Sequence, residues 1–138
     1  MRKEKGMRHP KINHWDRQLK KLFDEVDDYI EQKYGDRYTL HPNRARRGRT
    51  SSKSQDGLFN VGADFSSGYG TELGRGYVID IDMVTLEEVP EDVREQIEED
   101  VAELVRQKLP VYFPERLLWV SRDGSLYKIH GDFSLGEL

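Results

Sequence analysis

Apolar residues recur at three- and four-residue spacing in the first part of the chain, at Ile12, Trp15, Leu19, Leu22, Phe23, Val26 and Ile30. That spacing predicts an amphipathic helix from about Asn13 to Tyr34, with Asn13 as its N-cap and Gly35 as its stop. The period then changes. Phe59, Val61, Ala63 and Phe65 alternate with Asn60, Gly62, Asp64 and Ser66, and Tyr77, Ile79, Ile81 and Met83 alternate with Val78, Asp80, Asp82 and Val84. A period of two predicts two strands of one hairpin, each with one apolar face. A second helix begins near Pro90, buries Val93, Ile97, Val101, Leu104, Val105 and Leu109, and closes at Pro110. Leu117 to Ser121 and Leu126 to His130 flank an Asp123-Gly124 turn and predict a closing hairpin. Arg37 to Leu40 reads as a further short strand, ended by His41-Pro42.

These elements predict an α+β fold, with two helices packed on one face of a mainly antiparallel four- to five-stranded sheet. A chain of 138 residues suits one domain, over 12–138, after a flexible basic segment at 1–11. No internal repeat is evident, and these signals do not set the strand order.

Composition narrows the class. There is no cysteine, so disulfides and thiolate metal ligands are excluded. No apolar run approaches the roughly 20 residues that span a bilayer, and the opening MRKEKGMRHPK lacks the apolar segment of a secretory signal. The expectation is a cytoplasmic protein with no membrane partner. Its net charge of −4 hides a division, +7 over residues 1–53 and −11 over 54–138. Such a split fits a nucleic-acid face on an acidic body, two mutually attracting faces of one fold, or a homodimer contact.

Two loops could carry binding chemistry. The stretch 43–57 has no apolar period, is expected to be mobile, and holds Arg44, Arg46, Arg47, Arg49 and Lys53 among serines. Arginine engages phosphate through planar paired hydrogen bonds, and flexible basic segments order on RNA. The loop inside the first hairpin is longer than any turn requires. It carries Gly68, Gly70, Gly74 and Gly76, which admit close backbone approach, with Arg75 for an anion and Tyr69 to stack on a base. The leading expectation is a module that binds RNA or a nucleotide between these loops, without a cofactor.

An enzymatic alternative rests on carboxylates. Asp80 and Asp82 share one side of a strand, and Asp64 from the opposite strand could join them to hold Mg²⁺ for phosphoryl or nucleotidyl transfer. The segment from Ser66-Ser67-Gly68 through Gly70 and Gly74 to Val78-Ile79-Asp80-Ile81-Asp82-Met83 loosely resembles the polymerase-beta-like nucleotidyltransferase motif, a Gly-Ser element followed by an Asp-x-Asp strand. The resemblance implies the same Mg²⁺ chemistry, but the doublet is reversed and the family's intervening helix has no counterpart in this glycine-spaced loop. Solvent-facing aspartates on a half-exposed strand are the plainer account. His9, His14, His41 and His130 have no ligand spacing, and no serine lies in a nucleophile-elbow sequence. A third reading is a protein-interaction module that uses the acidic second helix and the basic N-terminal half.

Overall fold

The computed structural model describes residues 10–52, 55–68 and 73–131. Six elements follow one another: α1 (Pro10–Tyr34), β1 (Phe59–Ser66), β2 (Gly76–Met83), α2 (Glu91–Tyr112), β3 (Leu118–Asp123) and β4 (Leu126–Gly131). The sheet is four-stranded and antiparallel throughout, in the order β1-β2-β4-β3. Both helices pack on one of its faces, α1 against β1 and α2 against β3, which is the α+β arrangement that the apolar pattern predicts.

The chain is two successive αββ units. Their inner strands, β2 and β4, meet at the centre through Tyr77↔Ile129 and Val78↔Lys128. An approximate two-fold relation between the halves follows from that order, although the sequence carries no matching repeat.

The apolar stripe of α1 is buried from Trp15 through Leu19, Leu22, Phe23, Val26 and Ile30 to Tyr34. It meets Ile97, Val101, Val105 and Leu109 of α2 and Phe59, Val61, Ile79, Val120 and Ile129 of the sheet. Each such side chain contributes about 1.5–3 kcal/mol of burial free energy. The helices run antiparallel. Near one end Trp15 packs on Phe113 at 4.2 Å between ring centroids, and near the other Lys33 and Tyr34 both reach Asp100.

Three local expectations need correcting. The first helix starts at Pro10, so Asn13 lies inside it and is not its cap. The second runs through Pro110 to Tyr112, since a proline in the last turn forfeits only one bond, and the Phe113 amide still donates to Leu109 O at 2.8 Å. Residues 37–40 form no strand. They are held by a Thr39 amide bond to Glu87 at 2.6 Å, and the His41 amide bonds Val84 O at 2.9 Å. Among the described residues no helix is long and apolar enough to cross a membrane.

Candidate functional site

The arginine-rich segment folds around one buried carboxylate, Asp56. One of its oxygens accepts from the Gly48 amide at 3.1 Å, the Thr50 amide at 3.0 Å and the Thr50 hydroxyl at 3.1 Å. Its other oxygen faces Arg47 at 3.3 Å. Burial pushes this carboxyl's pKa up, but those donors and Arg47 outweigh burial and hold it below the usual range. Arg47 also reaches Asp27 at 2.7 Å and Asp28 at 2.6 Å on α1. Arg44 donates to the carbonyls of Asp56, Gly57 and Phe59 at 3.2, 2.9 and 2.9 Å. In place of the expected phosphate, these two arginines therefore hold the protein's own carboxylates and carbonyls. Arg46 and Arg49 are exposed, and Lys53 lies outside the described residues.

Acid residues crowd the C-terminal half of α1, and the loop supplies their counter-charge. Asp27 is 1% exposed, and burial first of all pushes its carboxyl up to about 6, against Arg47 and the Val61 amide. One turn further on, Glu31 accepts from the amides of Leu58 at 2.9 Å and Phe59 at 3.2 Å. The division of charge along the sequence thus resolves, at this end, into attraction within one fold.

The glycine loop lies at the other end of β1. Eight residues of strand separate the two loops, about 23 Å at the strand rise per residue, so no mononucleotide touches both. Gly68 and Gly74 adopt φ of +81° and +75°, and a Cβ on Gly68 would lie 1.9 Å from the Gly74 carbonyl carbon. The two arms of the loop touch there, and only glycine permits the contact. The Gly74 carbonyl accepts from Lys128 Nζ at 2.7 Å, and Lys128, 2% exposed, also pairs with Asp123 at 2.8 Å. Its stem runs past Gly76, where a Cβ would lie 3.1 Å from Lys128 Cγ and Cδ. Arg75 is exposed, while Tyr69 and Gly70 lie outside the described residues.

The sheet face turned away from the helices carries two unlike halves. Asp64, Asp80 and Asp82 stand exposed on β1 and β2, on one face as their alternation predicts. Burial and then the charges of Asp82 and Asp64 raise the Asp80 carboxyl. Even so, among the described residues no group of three His, Cys, Asp or Glu side chains is placed to hold a metal ion. Register explains the dispersal, because Asp64 pairs with Val78 while Asp80 pairs with Gly62.

On β3 and β4 the same face carries aromatic and polar side chains, with Lys128 buried and paired to Asp123. Trp119, 53% exposed, pairs with His130 across the strands at 6.0 Å between rings, and His130 Nε2 lies 2.9 Å from Ser121 Oγ. Burial, then Lys128, lowers the His130 pKa against Asp123, which favours the neutral ring. Sequence reasoning missed this group. The signal was available, because Trp119, Ser121 and Asp123 alternate with apolar Leu118 and Val120 before an Asp-Gly turn that fixes their register opposite Lys128 and His130.

A protein-family model described as "Uncharacterised protein" matches residues 10–131, from the first residue of α1 to the last of β4. A Borreliella burgdorferi protein described as "Uncharacterized protein" is 38% identical over 123 residues, which cover 89% of this chain and 96% of that one. No solved structure matches the chain.

Proposed function

The chain belongs to the family matched over residues 10–131, and we propose that it is a binding module for a phosphate-bearing partner, single-stranded RNA, at the glycine-loop end of the open sheet face. One observation carries the reading. Trp119 stands half-exposed beside His130 on the face of the antiparallel sheet turned away from its two helices. Sheets of this kind bind single strands by stacking bases on outward aromatic side chains, an analogy of geometry and not of ancestry. Arg75, exposed just before β2, supplies phosphate contact. Asp64, Asp80 and Asp82 repel phosphate from the β1-β2 half, which directs a bound strand along β3 and β4. A polymer suits the site better than a nucleotide, since nothing among the described residues encloses a single base.

The test is a titration of short fluorescently labelled RNAs at low salt, read by anisotropy, with the parent's tryptophan fluorescence as a second signal in which the exposed Trp119 responds and the buried Trp15 does not. Binding should weaken as salt rises, fall at least tenfold in Trp119→Ala, and persist in an Arg46→Gln, Arg49→Gln double variant. Unchanged affinity in Trp119→Ala would sink the proposal. Loss in the double variant alone would move the site to the arginine segment.

A further inference from the structure

One edge of the sheet is sealed along half its length and open along the other half. The Val84 amide donates to Leu58 O at 2.7 Å, so even-numbered residues of β1 turn their backbone groups toward β2. By alternation, Phe59, Val61, Ala63 and Phe65 turn theirs to the edge. Side chains close the first part of that edge: Glu31 takes the Phe59 amide at 3.2 Å, Arg44 donates to the Phe59 carbonyl at 2.9 Å, and Asp27 takes the Val61 amide at 3.2 Å. Beyond Val61 the sealing stops. Along the same face of α1, Asp16, Lys20 and Asp24 border a groove of about 400 Å³ floored by Leu19 and Phe23, and Lys20 bonds Asp24 at 3.2 Å. The Val61 carbonyl, both Ala63 groups and both Phe65 groups have no partner among the described residues.

We infer that this open half of β1 pairs antiparallel with the same stretch of a second copy, making a homodimer with a continuous eight-stranded sheet. All but one of the free groups are complemented; the exception is the Phe65 carbonyl, which faces the Val61 amide that Asp27 holds. With Ala63 opposite Ala63 of the other copy, the two residues exchange both amide–carbonyl bonds, and each Phe65 amide meets the other copy's Val61 carbonyl. A register centred on Asp64 makes as many backbone bonds but sets Asp64 directly opposite Asp64 of the other copy, like charge against like. Centring on Val61 requires an amide that Asp27 already holds, and centring on Phe65 runs the pairing out of the strand. The same register covers Phe65, which is 59% exposed in the single chain, by setting it against Val61 of its partner. It also brings Lys20 of each copy near the seam, among the carboxylates of Asp16, Asp24 and Asp64. The far edge lacks this property, because Arg106 Nε donates to the Val120 carbonyl at the middle of β3 at 3.2 Å.

The full chain should sediment as a dimer at high concentration and dissociate on dilution, with the Ala63 and Phe65 amides protected from hydrogen exchange only in the dimer. Ala63→Pro removes an edge amide that the single chain does not use, so it should yield a folded monomer. Phe65→Lys should do the same by placing charge at the seam. A parent that stays monomeric throughout, or a dimer that survives both variants, overturns the inference. So does a monomeric parent whose Ala63 and Phe65 amides become protected only on adding an extended peptide, which would assign the edge to a foreign strand.

Discussion

The guanidinium of Arg47 stands 2.7 Å from the carboxylate of Asp27, whose side chain is only 1% exposed in the middle of α1. That pair ties the arginine segment to the first helix and uses the segment's positive charge inside the fold. Its neighbours Asp28 and Asp56 extend the pair into a cluster that also fixes where β1 begins.

Removing the cation should therefore be costly in a pH-dependent way. Arg47→Met leaves Asp27 and Asp56 buried without their guanidinium, and breaking a buried pair from one side costs about 3–5 kcal/mol. Urea unfolding at pH 7.5 should show a loss of that size. At pH 5 the loss should shrink, because the Asp27 carboxyl, raised to about 6, is then largely protonated. Equal losses at both pH values would show that the Asp27 charge is not what makes Arg47 matter, leaving Asp56, Asp28 and packing.

The Asp27 carboxyl gives a second prediction with a definite sign. Burial raises it from 3.8 to about 6, so between those values the native state holds a proton that the unfolded chain has released. Its contribution to stability is fully present below about pH 4 and is lost as pH rises through about 6. Asp27→Asn does not titrate. Relative to the parent, this variant should gain stability as pH is raised from 4.5 to 7, and carboxyl NMR shifts of the parent should report the step directly. A flat difference across that range refutes the assignment.

How much of this was legible in the sequence depends on what each feature rests on. Periodicity located both helices and all four strands, because burial of one face leaves a repeating trace at Leu22, Val26 and Ile30 or at Phe59, Val61 and Ile79. The destination of Arg44 and Arg47 left none. Both bond partners across 9–20 residues, through carbonyls and through carboxylates on α1. A basic, serine-rich stretch reads the same whether its cations face solvent or the fold. Residues 37–40 misled through local propensity, since Tyr38 and Leu40 suit a strand but find no strand beside them. The Trp119–His130 pair was readable in principle from the turn register. It was passed over because neither residue belongs to a recognised motif.

Lys128 and His130 provide a third test. Burial is the larger reason that the His130 pKa lies below 6.5, and the Lys128 charge is the next. Lys128→Met keeps a stem to fill the space and removes the charge. The His130 ring should then titrate at higher pH than in the parent, and its NMR titration measures the change. A ring that titrates lower or unchanged would mean that Lys128 is not the neighbouring charge that matters.

Two glycines on the outer face of the first hairpin separate backbone necessity from composition. At Gly62 a Cβ would meet nothing within 4 Å, whereas at Gly76 it would lie 2.3 Å from Ile129 O and 3.1 Å from the Lys128 stem. Gly76 adjoins Tyr77 and Val78, the residues through which β2 and β4 join the two αββ units. A methyl group there must push the units apart or displace a buried lysine. Gly76→Ala should cost about 1–3 kcal/mol, with hydrogen exchange accelerating first at Tyr77 and Ile129. Gly62→Ala should change stability by no more than about 0.5 kcal/mol. If both variants unfold at the parent's urea concentration, β2 and β4 tolerate separation at Gly76, and close packing there is not what joins the halves.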